Sequence, residues 1–452
     1  MTITRFPHRI RIGVAAAMMS ALIPLDMCAQ TRLWSLRECC DYAVANNIMV
    51  KQQDNQRRQQ ELQLSTARNS RLPNLNGSIG QNFSFGRGLT ADNTYTNTNT
   101  SSTSFSLSTS VPIFTGFQIP NQIKMSRLNL EASTADLEKV KNDIRLQVAS
   151  AYVQILYDME IADVARRQIA IDSAQVARLE AFVKNGKASE AELSQQRATL
   201  ANSHLTATQA ANNCRLSLLT LSQLLELPST EGFAIQKPDL SQLSDQASSA
   251  AVSPEIVYAE ALGIKPEIAS QELRLKASGH NVKIAKAGNM PTLSLSAGLG
   301  TNYYKTSGFN VDGFGKQLEN NFSQYIGLNL NIPIFNRFQT RNSIRNAKIE
   351  QETRQLELDN TKKALYKEIQ QVCLNAENAL AKEQKSVEAL KSSEDAFNLV
   401  QAKYENGKAT ITEFNEAKNN YLMTESDLAQ ARYEHLYQQA LIAFYRGADL
   451  SF

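Results

Sequence analysis

Two stretches of about a hundred residues in this chain are punctuated at only one central point. Between Pro120 and Pro228 the only glycine is Gly186. After Pro333 there is no proline, and the only glycines are Gly407 and the near-terminal Gly447. Proline and glycine are the residues that most often interrupt regular backbone, so each stretch reads as two long helices joined by one tight turn. Both central glycines lie in the tetrapeptide Asn-Gly-Lys-Ala, at Asn185–Ala188 and Asn406–Ala409, with a spacing of 407 − 186 = 221. An internal repeat of that period constrains the fold more than any single motif.

The copies align along most of their length. Leu72-Pro73-Asn74-Leu75 matches Met290-Pro291-Thr292-Leu293, and Val111-Pro112-Ile113-Phe114 matches Ile332-Pro333-Ile334-Phe335. Each copy predicts a helix (Ser35–Asn69; Pro254–Lys286), then two strands, then the long hairpin. This divides the chain into a first repeat at 30–227, a connector at 228–253 and a second repeat at 254–452. The strands are expected at about 74–86, 103–114, 292–304 and 322–335, and the helical hairpins at 117–227 and 338–446.

All four strand segments alternate with a period of two. Leu75, Ile79, Phe83 and Phe85 share one parity, as do Phe105, Leu107, Val111 and Ile113. In the second repeat Leu293, Leu295, Ala297 and Leu299 form one set, and Ile326, Leu328, Leu330 and Ile332 the other. The opposite parity is Ser, Gly and Asn. Polar, unpatterned loops are expected between the strands at Arg87–Thr103 and Lys305–Asn321. Proline cannot donate to a ladder, so Pro112 and Pro333 are expected to mark the strand-to-helix bends.

These segments demand partners. A sheet in a bilayer must close on itself, because edge amides in hydrocarbon have nothing to bond. Four strands are too few for a barrel, and three chains would supply about twelve, above the minimum of about eight. The helices argue the same way. Val140, Ile144, Val148, Ala151 and Ile155, and Leu365, Ile369, Val372, Ala376 and Ala379, form narrow apolar seams of coiled-coil type. A helix of some 67 residues is roughly 100 Å long and must run along other long helices.

The net charge of +3 over 452 residues is small, which argues against a nucleic-acid partner. The start resembles a secretory signal at 1–29. Arg5, His8, Arg9 and Arg11 precede an apolar run from Ile12 to Leu25, and cleavage is expected after Ala29. Lipidation at Cys28 is the alternative. The mature cysteines Cys39, Cys40, Cys214 and Cys373 lie in helical patterns without metal-ligand spacing and are expected to be small packing residues. No catalytic residue, metal or cofactor is expected. His204, His280 and His435 are scattered, and Gly313-Phe314-Gly315-Lys316 lacks the spacing of a phosphate loop.

With these features assembled, nearly the whole mature chain resembles the TolC family of outer-membrane efflux proteins. The resemblance rests on the duplicated order and on Trp34-Ser35-Leu36 leading into Ala43–Asn47. It also rests on the two Pro-Ile-Phe strand ends and the two glycine-centred turns. It implies a mainly α fold with a transmembrane β portion: a homotrimeric, twelve-stranded barrel in outer-membrane lipid, continued by a long periplasmic α-helical barrel. It implies a passive exit duct for an inner-membrane pump, of the resistance-nodulation-division or ATP-driven kind, reached through a periplasmic membrane-fusion adaptor. By the same resemblance the adaptor docks on the tip turns. In the first turn these are Val183, Lys184, Asn185, Gly186, Lys187 and Ala188; in the second they are Tyr404, Glu405, Asn406, Gly407, Lys408 and Ala409. The family narrows its tunnel with acidic residues near the tip. Glu394 and Asp395 are the candidates, with a solvated helix face as the favoured reading of the pair and with Asp172 and Glu180 as non-equivalent acids nearby. The alternative function is a periplasmic coiled-coil scaffold or adaptor without a pore, which leaves the four alternating strands unexplained.

Overall fold

The structure is a computed structural model and describes residues 32–89, 93–238 and 253–450. The expected signal segment, Cys28 and most of the connector lie outside the described residues. The chain begins with β1 (Arg32–Trp34), α1 (Leu36–Asn46), α2 (Ile48–Asn69), β2 (Asn74–Leu89) and β3 (Tyr95–Thr115). The first long hairpin, α3 (Gln118–Lys184) and α4 (Glu190–Leu224), is followed by β4 (Phe233–Ile235). The second half runs α5 (Pro254–Ile264), α6 (Pro266–Ala287), β5 (Thr292–Thr306), α7 (Phe314–Asn320) and β6 (Ser323–Asn331). It ends with α8 (Gln339–Glu405) and α9 (Ile411–Tyr445). The long helices match in length between halves, 67 residues for α3 and α8 and 35 for α4 and α9.

The single helix expected at the head of each half is two. Asn47 leaves the helical region (ψ 135°), accepts from the Met49 amide at 2.8 Å and donates to the Leu224 carbonyl at 3.0 Å. It therefore caps the start of α2 and the end of α4 together. Lys265 breaks the second helix at the matching place. Pro266 excludes the residue before it from helical geometry, and the Lys265 ammonium lies 4.2 Å and 4.0 Å from the ring centres of Phe444 and Tyr445. Burial holds the Lys265 amine below its usual pKa.

The expected seams are where the cores form. Ile144, Val148 and Ile155 of α3 are fully buried with Leu36, Cys39, Ala43, Leu221 and Ile235. Leu365, Ile369 and Val372 of α8 bury with Val257, Ala261 and Ile268. Cys39, Cys40 and Cys373 are buried in these cores and all four described cysteines are free. Burial pushes the Cys39 and Cys40 thiols up to about 12, so they pack as small apolar groups.

The four long strands form one antiparallel sheet in the order β2-β3-β5-β6. Ile79 lies opposite Phe105, Leu107 opposite Leu299, and Ala297 opposite Ile326, which places the apolar parity of all four strands on one face. Pairing reaches further than expected, from Asn74↔Ser110 out to Leu89↔Tyr95. The Arg87–Thr103 segment is thus mostly strand. Its threonines are β-branched and suit a pleated ladder, and the missing side chain of Gly88 leaves room for Thr98 beside it. The Lys305–Asn321 segment is likewise not featureless, since it contains α7.

Pro112 lies inside β3, at a register shift between Pro112 and Phe114 against β5; Pro333 lies beyond the end of β6. Pairing with β5 resumes after Pro112 at Phe114 and Thr115, so neither proline is itself the bend, and the chain turns five residues after each. Phe117 and Phe338 adopt left-handed backbone (φ 66° and 61°) directly before α3 and α8. Each stacks edge-on against the phenylalanine of its own Pro-Ile-Phe, at 5.4 Å and 5.5 Å. Gly116 is required at its turn: φ is +61°, and a Cβ would sit 2.6 Å from Met290.

Candidate functional site

The two tip turns have the same construction. Gly186 and Gly407 hold φ of +71° and +70°. The Lys187 amide donates to Phe182 O at 2.8 Å and the Lys408 amide to Lys403 O at 2.8 Å, closing each first helix with the wide turn that a left-handed residue permits. The Asn185 and Asn406 side chains each donate to a carbonyl four residues back, at 2.7 Å. Each second helix then opens with a capping box, Ser189 with Glu192 and Thr410 with Glu413. Hydrogen bonds from Thr410 hold the Glu413 carboxyl below its usual range. These boxes escaped the sequence reading, although the Ser/Thr-x-x-Glu pattern after each turn signals them.

An added Cβ at either glycine would meet nothing within 4 Å. The effect of Gly186→Ala or Gly407→Ala is therefore backbone strain alone, about 1–2 kcal/mol for a left-handed residue. Native-state hydrogen exchange is expected to show that loss locally in the substituted turn. Unchanged exchange would mean the turn does not depend on glycine.

Lys187 and Lys408 project as exposed side chains, whereas Val183, Ala188, Tyr404 and Ala409 are half-buried. The two turns are held side by side. The Arg178 guanidinium of α3 lies 5.3 Å from the Tyr404 ring centre and donates to Glu405 O at 3.1 Å. Tyr404, Phe414, Phe397 and Tyr421 continue as a stack of rings between α8 and α9, and burial raises the Tyr404 phenol. On the first hairpin Val176, Leu179 and Leu193 form a small core against Ile411 of the second.

Further along the same helices lies a buried ionic cluster. Lys418 of α9 pairs with Asp172 Oδ1 of α3, and both side chains are 0% exposed. Ser203 Oγ donates to Asp172 Oδ2 at 2.6 Å and Gln196 Nε2 to Oδ1 at 3.2 Å, both from α4. Asn415 Nδ2 donates to Gln196 Oε1 at 3.1 Å. Asp172 is 186 − 172 = 14 residues before Gly186, which places this clasp about 20 Å from the turn. Arg167 and Glu425, at 2.8 Å, add a second bridge between the same two helices. The sequence singled out Asp172 as an acid near the tip. Its partner, 246 positions away, carried no local signal.

Glu394 and Asp395 are exposed on α8 and do not join this cluster. Glu180 pairs with Arg197 within the first hairpin at 2.8 Å. Within one chain, then, the candidate pair is exposed, as the reading of a solvated helix face has it, and Asp172 is the acid that organises the interior.

Comparison with known proteins agrees with this architecture. The family model described as outer membrane efflux protein matches residues 40–226 and 257–447, one segment in each half. The chain is 23% identical to the outer membrane efflux protein BepC of Brucella suis over 71% of this chain and 67% of BepC. It is 26% identical to the pyoverdine export outer membrane protein OpmQ of Pseudomonas putida over 71% of this chain and 64% of OpmQ. These alignments span about two thirds of each relative. In fold the chain is similar to a membrane protein from Pseudomonas aeruginosa (TM-score 0.76, 18% identity, 98% of both chains). It is also similar to the CmeC outer membrane channel of Campylobacter jejuni (TM-score 0.75, 19% identity, 92% of this chain and 87% of that one).

Proposed function

Since the chain belongs to the outer membrane efflux protein family, we propose that three copies form a passive duct through which an inner-membrane pump discharges its cargo. The protein is an outer-membrane protein with a large periplasmic part, an exit duct of efflux systems. The observation that carries the finer reading is the sheet. Among the described residues it is open within one chain, its edges β2 and β6 have no strand beside them, and its apolar face is solvent-exposed at Ile79, Phe83, Ile326, Leu328 and Leu330. An open sheet with one apolar face is stable in neither water nor lipid. Closing β6 of one copy onto β2 of the next gives twelve strands, directs the apolar face to lipid and leaves a Ser-, Thr- and Asn-lined lumen.

The repeats 30–227 and 254–452 would then each contribute two strands and one hairpin. Exposed apolar residues along the long helices, among them Leu216, Leu356, Leu374 and Leu399, fit burial against neighbouring copies. A pore-free scaffold accounts for the helices but not for the sheet. Light scattering, corrected for detergent, on protein extracted from outer membranes tests the assembly. A mass near three mature chains is expected, and a monomer that needs no detergent would overturn it.

The adaptor would dock at the paired turns, where Lys187 and Lys408 stand exposed beside half-buried Val183, Ala188, Tyr404 and Ala409. Reversing both charges (Lys187→Glu with Lys408→Glu) is expected to weaken adaptor cross-linking at least several-fold, an interface effect of about 1–2 kcal/mol. Unchanged cross-linking would remove the turns as the docking site. Glu394 and Asp395, exposed on α8, are read first as a solvated face of that helix, and an acidic ring on the axis of the assembled tunnel is the second reading.

A further inference from the structure

The two edges of the sheet differ in length. β2 has 16 residues and β6 has 9. If β6 closes onto β2 of the next copy, 16 − 9 = 7 residues of β2 find no strand beside them. The periplasmic ends of both strands are bounded by proline, Pro73 before β2 and Pro333 after β6, so pairing starts together there and the shortfall falls at the outer end. In that register the unmatched residues of β2 are 83–89. The outward side chains at that end include Phe83 and Phe85, 61% and 75% exposed within one chain.

At the outer end of β6 lies α7. β5 continues past the last β6 pair, Gly300↔Ser323, with β3 on only one side. Its other side is covered by α7 and the residue after it. Gln317 is buried and binds both backbone groups of Tyr304: Tyr304 N donates to Oε1 at 2.8 Å, and Nε2 donates to Tyr304 O at 3.0 Å. Asn321 Nδ2 donates to Asn302 O at 2.8 Å, and Thr301 Oγ1 to Leu318 O at 2.7 Å. Phe314 packs edge-on against Tyr303 at 5.2 Å. The helix thus stands where β6 would have continued, satisfying a strand edge through side chains. Phe314 and Phe322 remain 50% and 56% exposed beside it.

We infer that α7 of one copy seats against residues 83–89 of β2 of the next, so that the outer 7 of the 16 residues of β2 in each seam between copies make a helix-on-strand contact instead of a ladder. This rests on the closure of the sheet by identical copies proposed above. Phe83 and Phe85 are the surface, and Phe314 and Phe322 with α7 are the occupant. Both sets belong to the sheet's apolar face, so the contact continues the seam and removes aromatic surface that neither edge covers alone.

Site-specific photo-cross-linking in outer membranes tests the contact separately from the closure. Benzoylphenylalanine replaces Glu319, an exposed residue of α7, or Tyr325 in β6. In one chain β3 and β5 lie between either position and β2, and an adduct to β2 that migrates as two linked chains on a denaturing gel reports a second copy. Tyr325 is expected to join the 74–82 segment of another copy and Glu319 the 83–89 segment. Phe83→Ser with Phe85→Ser is expected to reduce the Glu319 adduct several-fold and spare the Tyr325 adduct. A Tyr325 adduct between copies with only lipid or same-chain adducts from Glu319 would overturn the inference and leave the closed barrel standing. Absence of both adducts would overturn the two together.

Discussion

Lys418→Met is expected to loosen the turn end of the long helices more than any surface substitution there. It leaves the Asp172 carboxylate buried with Ser203 and Gln196 as donors but no counter-charge. Breaking a buried pair from one side costs about 3–5 kcal/mol, because the remaining charge keeps its desolvation penalty. The pair joins α3 to α9, so the loss is expected as faster amide exchange on both helices around the clasp and toward the turns. Asp172→Leu combined with Lys418→Met removes both charges and is expected to recover most of the protection, since replacing a whole buried pair with apolar groups is often neutral. Exchange in Lys418→Met equal to the parent protein would mean the pair does not hold the hairpins together. The cores around Ile155 and Ile369 are packed independently of the clasp, so exchange there serves as the internal control.

Leu328→Arg is expected to abolish stable membrane insertion, and Asn329→Arg to be tolerated. The residues are neighbours on β6, with Leu328 on the apolar face 69% exposed within one chain and Asn329 on the polar face. An arginine facing lipid near the bilayer centre costs about 2–4 kcal/mol. A closed barrel of three copies would carry that penalty three times, whereas an arginine in the lumen stays hydrated. The measurement is the share of each variant that resists urea extraction from outer membranes. Equal retention would mean the apolar face of the sheet does not meet lipid.

The features legible in the sequence are those fixed by near neighbours. A glycine inside a long run without proline locates each turn, because the wide closing bond needs a left-handed residue at that position. Alternation of Ile79, Phe83 and Phe85 against Ser78, Asn82 and Ser84 fixes the facing of β2, because side chains on a strand point to opposite faces in turn. The seam of Ile144, Val148 and Ile155 identifies the buried stripe of α3 by its helical spacing.

Other features depended on residues far away in the chain. The break at Asn47 is completed by the Leu224 carbonyl, and the one at Lys265 by the rings of Phe444 and Tyr445. α7 exists where β5 lacks a neighbouring strand, so its polar, loop-like composition held no warning of a helix. Tyr95–Ser102 extends the sheet because β2 offers a ladder beside it. Local composition alone leaves such a Thr- and Asn-rich segment undecided.

By itself, then, the sequence determined the order of the long strands and long helices, the two turns, the facing of the strands and the lack of any compact single core. Each comes from periodicity and from residues whose backbone preferences act within a few positions. The tertiary structure alone decided which acid lies inside the molecule. Asp172 and Glu180 read alike along the chain, but packing places Lys418 against Asp172 and Arg197 beside Glu180. A charge can remain fully buried only where a partner 246 residues away is brought to meet it.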